Sequence, residues 1–368
     1  MKLRCERTSL VEALGAAARA VSTRSSALPA LSGLRLEVRN GELHVAGTDL
    51  DLTIQVQRSV GGATDGVCVA PAKLLSEIVR AIPDGEITLE VEGDKLHVEG
   101  KSGKSHFAVS LMAADDFPRL PEPGATSVEL PANELAEALR QVCRAASTDE
   151  ARPILTGVLV AAEAGGLRLV ATDSYRLALC DLPSAAGVLA EGQKVLVPAK
   201  ALREVERLLG DTSSVHVFLG EREAHFVIGN TVLTTRLIEG EFPNYRQLLP
   251  EEYPCRLHSE DKGELLDALR RVKLLVKDSL TPVRMAFGPN GVVLTVSQES
   301  GQATEEVEGK YEGTEMTIAF NPEYLIQGIE AVSGSEVILS TVEPKKPATI
   351  KGSENDTFLY LLMPVRVA

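Results

Sequence analysis

The 368-residue sequence has no tryptophan and only 4% aromatic residues, so its core must be built from aliphatic side chains. Its five cysteines are scattered without a C-x-x-C pair, which argues against a zinc site and against a disulfide framework. No stretch approaches the roughly 18 apolar residues of a membrane helix, and residues 1–6 contain no apolar run typical of a signal peptide. We therefore expect a soluble, cytoplasmic protein.

Basic residues are in deficit, with 38 Lys and Arg against 52 Asp and Glu, which gives a net charge of −14. Nucleic-acid-binding proteins usually carry a basic surface that displaces counterions from phosphates, so this balance argues against them at first sight. Net charge does not describe distribution, however. A protein can be acidic outside and basic on one surface, so the positions of Lys and Arg decide the question.

Catalytic signatures are also missing. The segment 100–105 reads Gly-Lys-Ser twice but lacks the earlier glycine of a phosphate-binding loop, so we interpret it as a hairpin turn. There is no G-x-S-x-G or H-E-x-x-H motif, and the six histidines occur singly. Asp49 and Asp173 recur at one repeat position, which suits a structural hydrogen bond at a strand end better than acid–base catalysis. The sequence predicts no catalytic residue, metal or cofactor.

One amphipathic helix pattern occurs three times, at intervals of 125 and 130 residues. Apolar residues at i, i+3, i+4 and i+7 mark one face of a helix, and the intervals are the length of a domain. The three sets are Leu10, Ala13, Leu14, Ala17; Leu135, Ala138, Leu139, Val142; and Leu265, Ala268, Leu269, Val272. We predict three tandem domains, 1–125, 126–255 and 256–368.

Each predicted domain follows the order helix, strands, helix, strands, which indicates an α+β fold with two helices and two runs of antiparallel strands. Short motifs recur in the same order in the first two repeats: Thr48-Asp49 recurs as Thr172-Asp173, and Pro71-Ala72-Lys73 as Pro198-Ala199-Lys200. An open row of such sheets leaves unpaired strand edges at both ends. Symmetric dimerisation could close the row into a ring.

Three motifs carry a resemblance to a known family: Ala-Thr-Asp-Ser-Tyr-Arg-Leu-Ala at 171–178, Glu-Phe-Pro-Asn-Tyr-Arg at 241–246 and Tyr-Leu-Leu-Met-Pro-Val-Arg at 360–366. The whole chain resembles the bacterial DNA polymerase III beta subunit family, the replicative sliding clamps. The resemblance implies a homodimeric ring of six domains, with helices inside and sheets outside. Such a ring encircles duplex DNA independently of sequence, tethers the polymerase III alpha subunit and other proteins with clamp-binding motifs, is opened by a clamp loader, and catalyses nothing itself.

Basic residues fall on the helix faces opposite the apolar stripes. The resemblance implies this placement, because these helices would line the hole through which DNA passes. Arg24 and Arg152, in turns after the first helices of two repeats, resemble family positions that reach DNA. A plain solvated helix face remains the alternative for each residue. The expected DNA-binding residues are Arg24, Lys73, Arg80, Arg140, Arg144, Arg152, Lys200, Arg203 and Arg207.

The resemblance also implies a peptide-binding pocket between the second and third domains. Aliphatic and Met side chains would give an adaptable apolar well for reversible partners, with core packing as the alternative role. The deep half comprises Leu155, Thr172, Ser174, Tyr175, Arg176, Leu177, Pro243, Leu248, Leu361 and Met363. The shallower half comprises Asn321, Tyr324, Pro344, Pro364, Val365 and Arg366.

The implied dimer seam joins the first domain of one chain to the third domain of another. Its expected residues are Lys104, Phe107 and Val109 on one side and Leu274, Leu275 and Glu299 on the other. Two other functions remain open at this stage. One is a second-copy clamp that confers resistance to a clamp-binding antibiotic, and the other is an acidic enzyme with a site hidden at a domain interface.

Overall fold

The computed structural model describes residues 1–22, 28–122, 127–163, 165–250, 252–278, 281–353 and 357–366. Among these residues, no helix is both long and apolar enough to span a bilayer. The α-helices in this part of the chain are α1 (Arg7–Ala18), α2 (Ala72–Ala81), α3 (Ala132–Val142), α4 (Ala199–Leu209), α5 (Lys262–Lys273) and α6 (Pro322–Ala331).

Twenty-six strands are present in the described ranges, and each forms antiparallel pairs with its neighbours. In chain order they are β1 (Lys2–Glu6), β2 (Gly33–Arg39), β3 (Glu42–Thr48), β4 (Leu52–Ser59), β5 (Gly61–Thr64), β6 (Gly66–Pro71), β7 (Glu86–Glu92), β8 (Lys95–Gly100), β9 (His106–Ser110), β10 (Val128–Pro131), β11 (Gly157–Glu163), β12 (Gly166–Thr172), β13 (Arg176–Leu182), β14 (Lys194–Pro198), β15 (Ser214–Leu219), β16 (Glu223–Ile228), β17 (Thr231–Arg236), β18 (Cys255–Ser259), β19 (Val283–Gly288), β20 (Gly291–Gln298), β21 (Gly301–Glu308), β22 (Lys310–Glu312), β23 (Met316–Phe320), β24 (Val337–Thr341), β25 (Ala348–Lys351) and β26 (Phe358–Leu362).

The chain divides into two compact units, each with two sheets. The first comprises Met1–Asn133 and Glu204–Leu237. It contains a five-stranded sheet, β5-β1-β7-β8-β9, and an eight-stranded sheet, β10-β15-β16-β17-β4-β3-β2-β6. The second comprises Glu134–Arg203 and Ile238–Ala368, with a nine-stranded sheet, β14-β11-β12-β13-β26-β25-β24-β18-β22, and a four-stranded sheet, β21-β20-β19-β23.

The three apolar helix stripes are buried as predicted. Leu10, Ala13, Leu14 and Ala17 of α1 are fully buried, and the corresponding residues of α3 and α5 are at most 5% exposed. Close packing against the sheet explains a glycine here: a Cβ on Gly47 would lie 2.2 Å from the backbone oxygen of Ala17. Any larger residue at this position would therefore push α1 away from β3.

The repeat begins with a strand rather than with the predicted helix. The strands β1, β10 and β18 immediately precede α1, α3 and α5. In β1 only Leu3 and Cys5 point inwards, between charged neighbours, so the five-residue alternation was too short to be recognised. Helix α1 then follows β1 directly, from Arg7 to Ala18.

Two turn predictions can be compared with the structure directly. Residues 101–105 connect β8 to β9, so the Gly-Lys-Ser segment is a hairpin connection, as predicted. At the end of β3, the Asp49 carboxylate accepts hydrogen bonds from the amides of Asp51 and Leu52 and holds the turn that leads into β4. The structural role predicted for Asp49 is confirmed.

Candidate functional site

The turn between β12 and β13 is the centre of the candidate site in the second unit. The Thr172 hydroxyl donates to the Arg176 carbonyl at 2.6 Å, and the Asp173 carboxylate accepts from the amides of Tyr175 and Arg176 at 2.9 and 3.1 Å. These bonds hold Ser174 in the left-handed region at φ 81°, where non-glycine residues are uncommon. The turn thereby presents Ser174 and Tyr175 to solvent while Arg176 points inwards.

Arg176 is only 8% exposed and connects the turn to α6. Its Nε donates to Asp173 Oδ2 at 3.0 Å, and its Nη1 donates to Gln327 Oε1 and, at 3.4 Å, to the Tyr360 hydroxyl. The guanidinium carbon lies 4.2 Å from the centre of the Tyr324 ring, a cation–π contact. A buried charge needs such a complete set of partners, so this arrangement fixes the position of α6 relative to the turn.

Tyrosines complete this cluster. The Tyr360 hydroxyl donates to the Tyr324 carbonyl at 3.0 Å, and burial raises the pKa of Tyr360 to about 12. A Cβ on Gly328 would lie 2.5 Å from the Tyr360 ring, so the glycine lets the ring pack against α6. Burial alone would lower the pKa of Arg176, but the neighbouring Tyr360 and Asp173 raise it above its usual value. Arg176 is therefore a permanent cation.

An apolar patch lies beside the Arg176 cluster. Leu177 and Leu361 face each other as partners in β13 and β26 and belong to a buried cluster with Leu179 and Tyr245. Met363 is half-buried against this cluster, and its amide donates to the Tyr175 carbonyl at 2.9 Å. The other half-buried apolar residues packed there are Ile154, Ile238, Phe242, Leu249 and Leu359. The patch therefore consists of buried aliphatic residues bordered by half-buried apolar side chains.

The structure brings many of the predicted pocket residues together. Tyr175, which is 60% exposed, stacks on Tyr324 with ring centres 6.4 Å apart. Asn321 caps α6 by accepting from the amides of Glu323 and Tyr324, and the amide of Val365 donates to the Ala319 carbonyl. Leu155 is buried, Pro364 is half-buried, and Pro243, Leu248, Pro344 and Arg366 are exposed.

Sequence reasoning missed several members of this cluster. Gln327 holds the Arg176 guanidinium from a segment 151 residues away, and no local pattern marks it. Tyr360, Phe242 and Tyr245 were visible only as parts of family motifs, yet Tyr360 bonds Arg176 and the other two pack at the apolar patch. Asp173 was expected to be structural, and its hydrogen bonds confirm that role.

The predicted DNA-binding residues fall into two groups. Three are half-buried and held by internal hydrogen bonds: Arg140 donates to Glu137, Arg144 to the carbonyls of Arg140 and Gln327, and Arg203 to the Cys143 carbonyl. Five are exposed, namely Lys73, Arg80, Arg152, Lys200 and Arg207, although Arg152 pairs with Asp149 and Arg207 with Glu204. Arg24 lies outside the described residues.

The predicted dimer residues lie on or near free strand edges. Phe107 is exposed on β9, the last strand of its sheet, and Lys104 is exposed in the preceding turn. Leu274, just after α5, is 84% exposed, Leu275 is half-buried, and Glu299 is exposed before the edge strand β21. Val109 is the exception: it is 3% exposed and belongs to the core, although it shares a face of β9 with the exposed Phe107. Its side chain is therefore not presented at the surface, and its part in a seam stays a prediction.

Comparison with known proteins gives a consistent result along the whole chain. Family models match residues 1–121 (DNA polymerase III beta subunit, N-terminal domain), 129–244 (central domain) and 246–366 (C-terminal domain). The beta sliding clamps of Caulobacter vibrioides and Streptomyces coelicolor are 33% and 31% identical to this chain, with complete coverage of both sequences.

Solved structures agree. A sliding clamp (DNA polymerase III subunit beta) from Pseudomonas aeruginosa bound to griselimycin has a TM-score of 0.91 at 28% identity, with complete coverage of both chains. The beta sliding clamp of C. crescentus has a TM-score of 0.92 at 32% identity, covering 100% of this chain and 99% of that one. Three tandem α+β domains with this topology define a sliding clamp.

The chain belongs to the DNA polymerase III beta subunit family.

Proposed function

We propose that this chain is a non-catalytic processivity factor that encircles duplex DNA as a homodimeric ring and tethers DNA polymerase III. The observation that carries the proposal is the match of all three family domains, in order, along the chain. We also propose the domain limits 1–125, 126–255 and 256–368, of which the first falls in a segment outside the described residues.

The free edges of the sheets support a head-to-tail dimer. The edge strand β9 carries exposed Phe107 and follows a turn with Lys101 and Lys104. The edge strand β21 carries exposed Glu306 and follows Glu299. An edge with basic residues beside it complements an edge with acidic residues, and joining them would satisfy unpaired backbone groups. A symmetric dimer with two such junctions closes into a ring.

Exposed basic residues support a sequence-independent DNA contact. Lys73, Arg80, Arg152, Lys200 and Arg207 are accessible to phosphates. Arg140, Arg144 and Arg203 are half-buried and bond internal partners, so we assign them a mainly structural role that leaves a positive field near the helices. Weak phosphate contacts suit a protein that is retained by topology and must slide.

The apolar patch beside Arg176 and the exposed residues around it, together called the groove, support partner binding. Its half-buried apolar residues, Met363, Phe242 and Ile154, pack on the buried pair Leu177 and Leu361 and suit one or two apolar side chains of a peptide. The exposed rim of Tyr175, Pro344 and Arg366 offers further contacts. Partners anchored in this way can exchange, as the polymerase and repair proteins on one clamp must do.

A peptide-binding experiment tests the groove. A fluorescent peptide from the polymerase alpha subunit should bind the full chain, and Met363→Asp should weaken it at least tenfold, because a carboxylate at the apolar edge must be desolvated. Val67→Asp, which introduces the same carboxylate at an exposed apolar position on β6 in the first unit, is the control and should leave binding within twofold. Undiminished binding to Met363→Asp, with the fold intact by circular dichroism, would refute the groove assignment.

A further inference from the structure

The turn after β3 in the first unit repeats the turn at the candidate groove. The amide of Leu50 donates to the Thr48 hydroxyl at 3.1 Å, and the amide of Ser174 donates to the Thr172 hydroxyl at 3.2 Å. Leu50 and Ser174 both lie in the left-handed region, at φ 80° and 81°. The two turns therefore have the same construction and present the next residue, Asp51 or Tyr175, in the same way.

The strands beside the two turns also correspond. The Arg236 amide donates to the Asp51 carbonyl at 2.8 Å, as the Met363 amide donates to the Tyr175 carbonyl at 2.9 Å. The β4 and β17 strands pair as β13 and β26 do. The first unit thus contains a second copy of the groove scaffold.

The side chains that line this second groove differ from those at the corresponding positions of the groove in the second unit. The facing pair Leu177 and Leu361 is replaced by Thr53 and Thr234, which also face each other across their strands. Met363 is replaced by Arg236. The Thr53 hydroxyl bonds the Thr48 hydroxyl and the Thr234 hydroxyl bonds His225, so each threonine oxygen keeps acceptor capacity. The floor is polar rather than aliphatic.

A cavity of about 430 Å³ occupies this groove. Leu50, Pro118, Leu120 and Pro121 give it an apolar wall, and its remaining lining includes three carboxylates, Asp51, Glu122 and Glu223. Within the described part of the chain, the only ion pair that these carboxylates form is a 3.8 Å contact of Glu223 with His225.

We propose that this cavity binds a Lys or Arg side chain of an extended polypeptide. The aliphatic stem lies along the apolar wall, and the cationic head reaches the carboxylates and threonine oxygens. Arg119 and Arg236 also line the cavity, but three carboxylates outnumber them, and both arginines are exposed enough to turn towards peptide carbonyls. The choice of a polypeptide rests on the proposed peptide groove of the second unit; the choice of a cation rests on this cavity alone.

Methyl NMR on the full chain, with labelled Leu, Thr and Met residues, tests the proposal. The probes are acetyl-lysine amide and acetyl-arginine amide, with acetyl-norleucine amide as an apolar probe of similar length and acetyl-glutamate amide as an anionic one. The cationic probes should shift the methyl resonances of Leu50, Thr53 and Thr234, and the other two should not. Leu177 and Met363 report separately on the second-unit groove, so failure of one site does not obscure the other.

Charge variants give the second readout. Asp51→Asn with Glu223→Gln should weaken the cationic probes about threefold or more, which is the usual range for two exposed ion pairs. Glu221→Gln removes one carboxylate charge from the β15–β16 hairpin that carries Glu223, outside the cavity, and should change nothing. The proposal is overturned if norleucine or glutamate probes shift Thr53 and Thr234 equally, if no probe shifts them, or if the charge variant binds as well as the parent.

Discussion

Replacing Arg176 by methionine removes the cation that joins the β12–β13 turn to α6. Removing one partner of a buried ion pair costs about 3–5 kcal/mol, because the other charge stays buried. Asp173 keeps two amide donors on Oδ1, so the lower end applies, and loss of the Tyr324 cation–π contact adds roughly 0.5–1 kcal/mol. We expect Arg176→Met to lower the local free energy of unfolding by about 3–4 kcal/mol.

Native-state hydrogen exchange of the β13 and β26 amides is the appropriate assay, since a chain of two compact units need not unfold in one step. The double variant Asp173→Asn/Arg176→Met supplies the control. The introduced asparagine can still accept the two amide hydrogen bonds but leaves no unpaired charge, so at least half of the lost stability should return. A loss below about 1 kcal/mol in Arg176→Met, or a double variant as unstable as the sum of the single variants, would refute the reasoning.

Three further predictions concern other parts of the chain. Tyr360→Phe should lower the free energy of unfolding by about 1 kcal/mol, because the hydrogen bond to the Tyr324 carbonyl is lost. The parent chain should lose stability above pH 10, because the pKa of Tyr360 is about 12 in the folded state and about 10 in the unfolded state, and the variant should lack this loss. Urea titrations from pH 8 to 11 would measure both effects. Burial lowers the pKa of His225, so the unfolded state binds more protons below about pH 6.5, and the first unit should lose stability as the pH falls through that value. Hydrogen exchange of the β16 amides at pH 7.5 and 5.5 should show this loss. The same loss of stability in His225→Asn would contradict the assignment to His225. Leu274→Glu should raise the dimer dissociation constant at least tenfold in light scattering, whereas Val67→Glu, at an exposed position on β6, should not. Equal effects of the two variants would contradict the placement of Leu274 in the seam.

The repeat and its cores could be predicted because they depend on local spacing. The stripes of α1, α3 and α5 are buried as the periodicity required, and the turn role of Asp49 and Asp173 followed from their equal positions in the repeat. Short elements were harder. The five residues of β1 include three charged ones, and only their pairing with the distant strands β5 and β7 identifies β1 as a strand.

The partners of individual side chains could not be predicted from the sequence. Arg144 has the spacing of an outward-facing helix residue, yet it donates to the carbonyl of Gln327 in another domain. Val109 and Phe107 lie two residues apart on β9 and therefore share one face of the strand, yet Val109 is 3% exposed and Phe107 is 40% exposed. What covers each end of that face decides the burial of the two side chains. Such outcomes depend on tertiary pairing, which carries no signal in the neighbouring residues.

Retention on DNA tests the central claim most directly. The chain, placed on nicked circular duplex DNA by a clamp loader and ATP, should remain bound through gel filtration in high salt, because a closed ring is held by topology and not by phosphate contacts. Linearising the DNA should release it by sliding off the ends. Equal retention on circular and linear DNA, or loss from both as salt rises, would contradict the account of this protein as an encircling clamp.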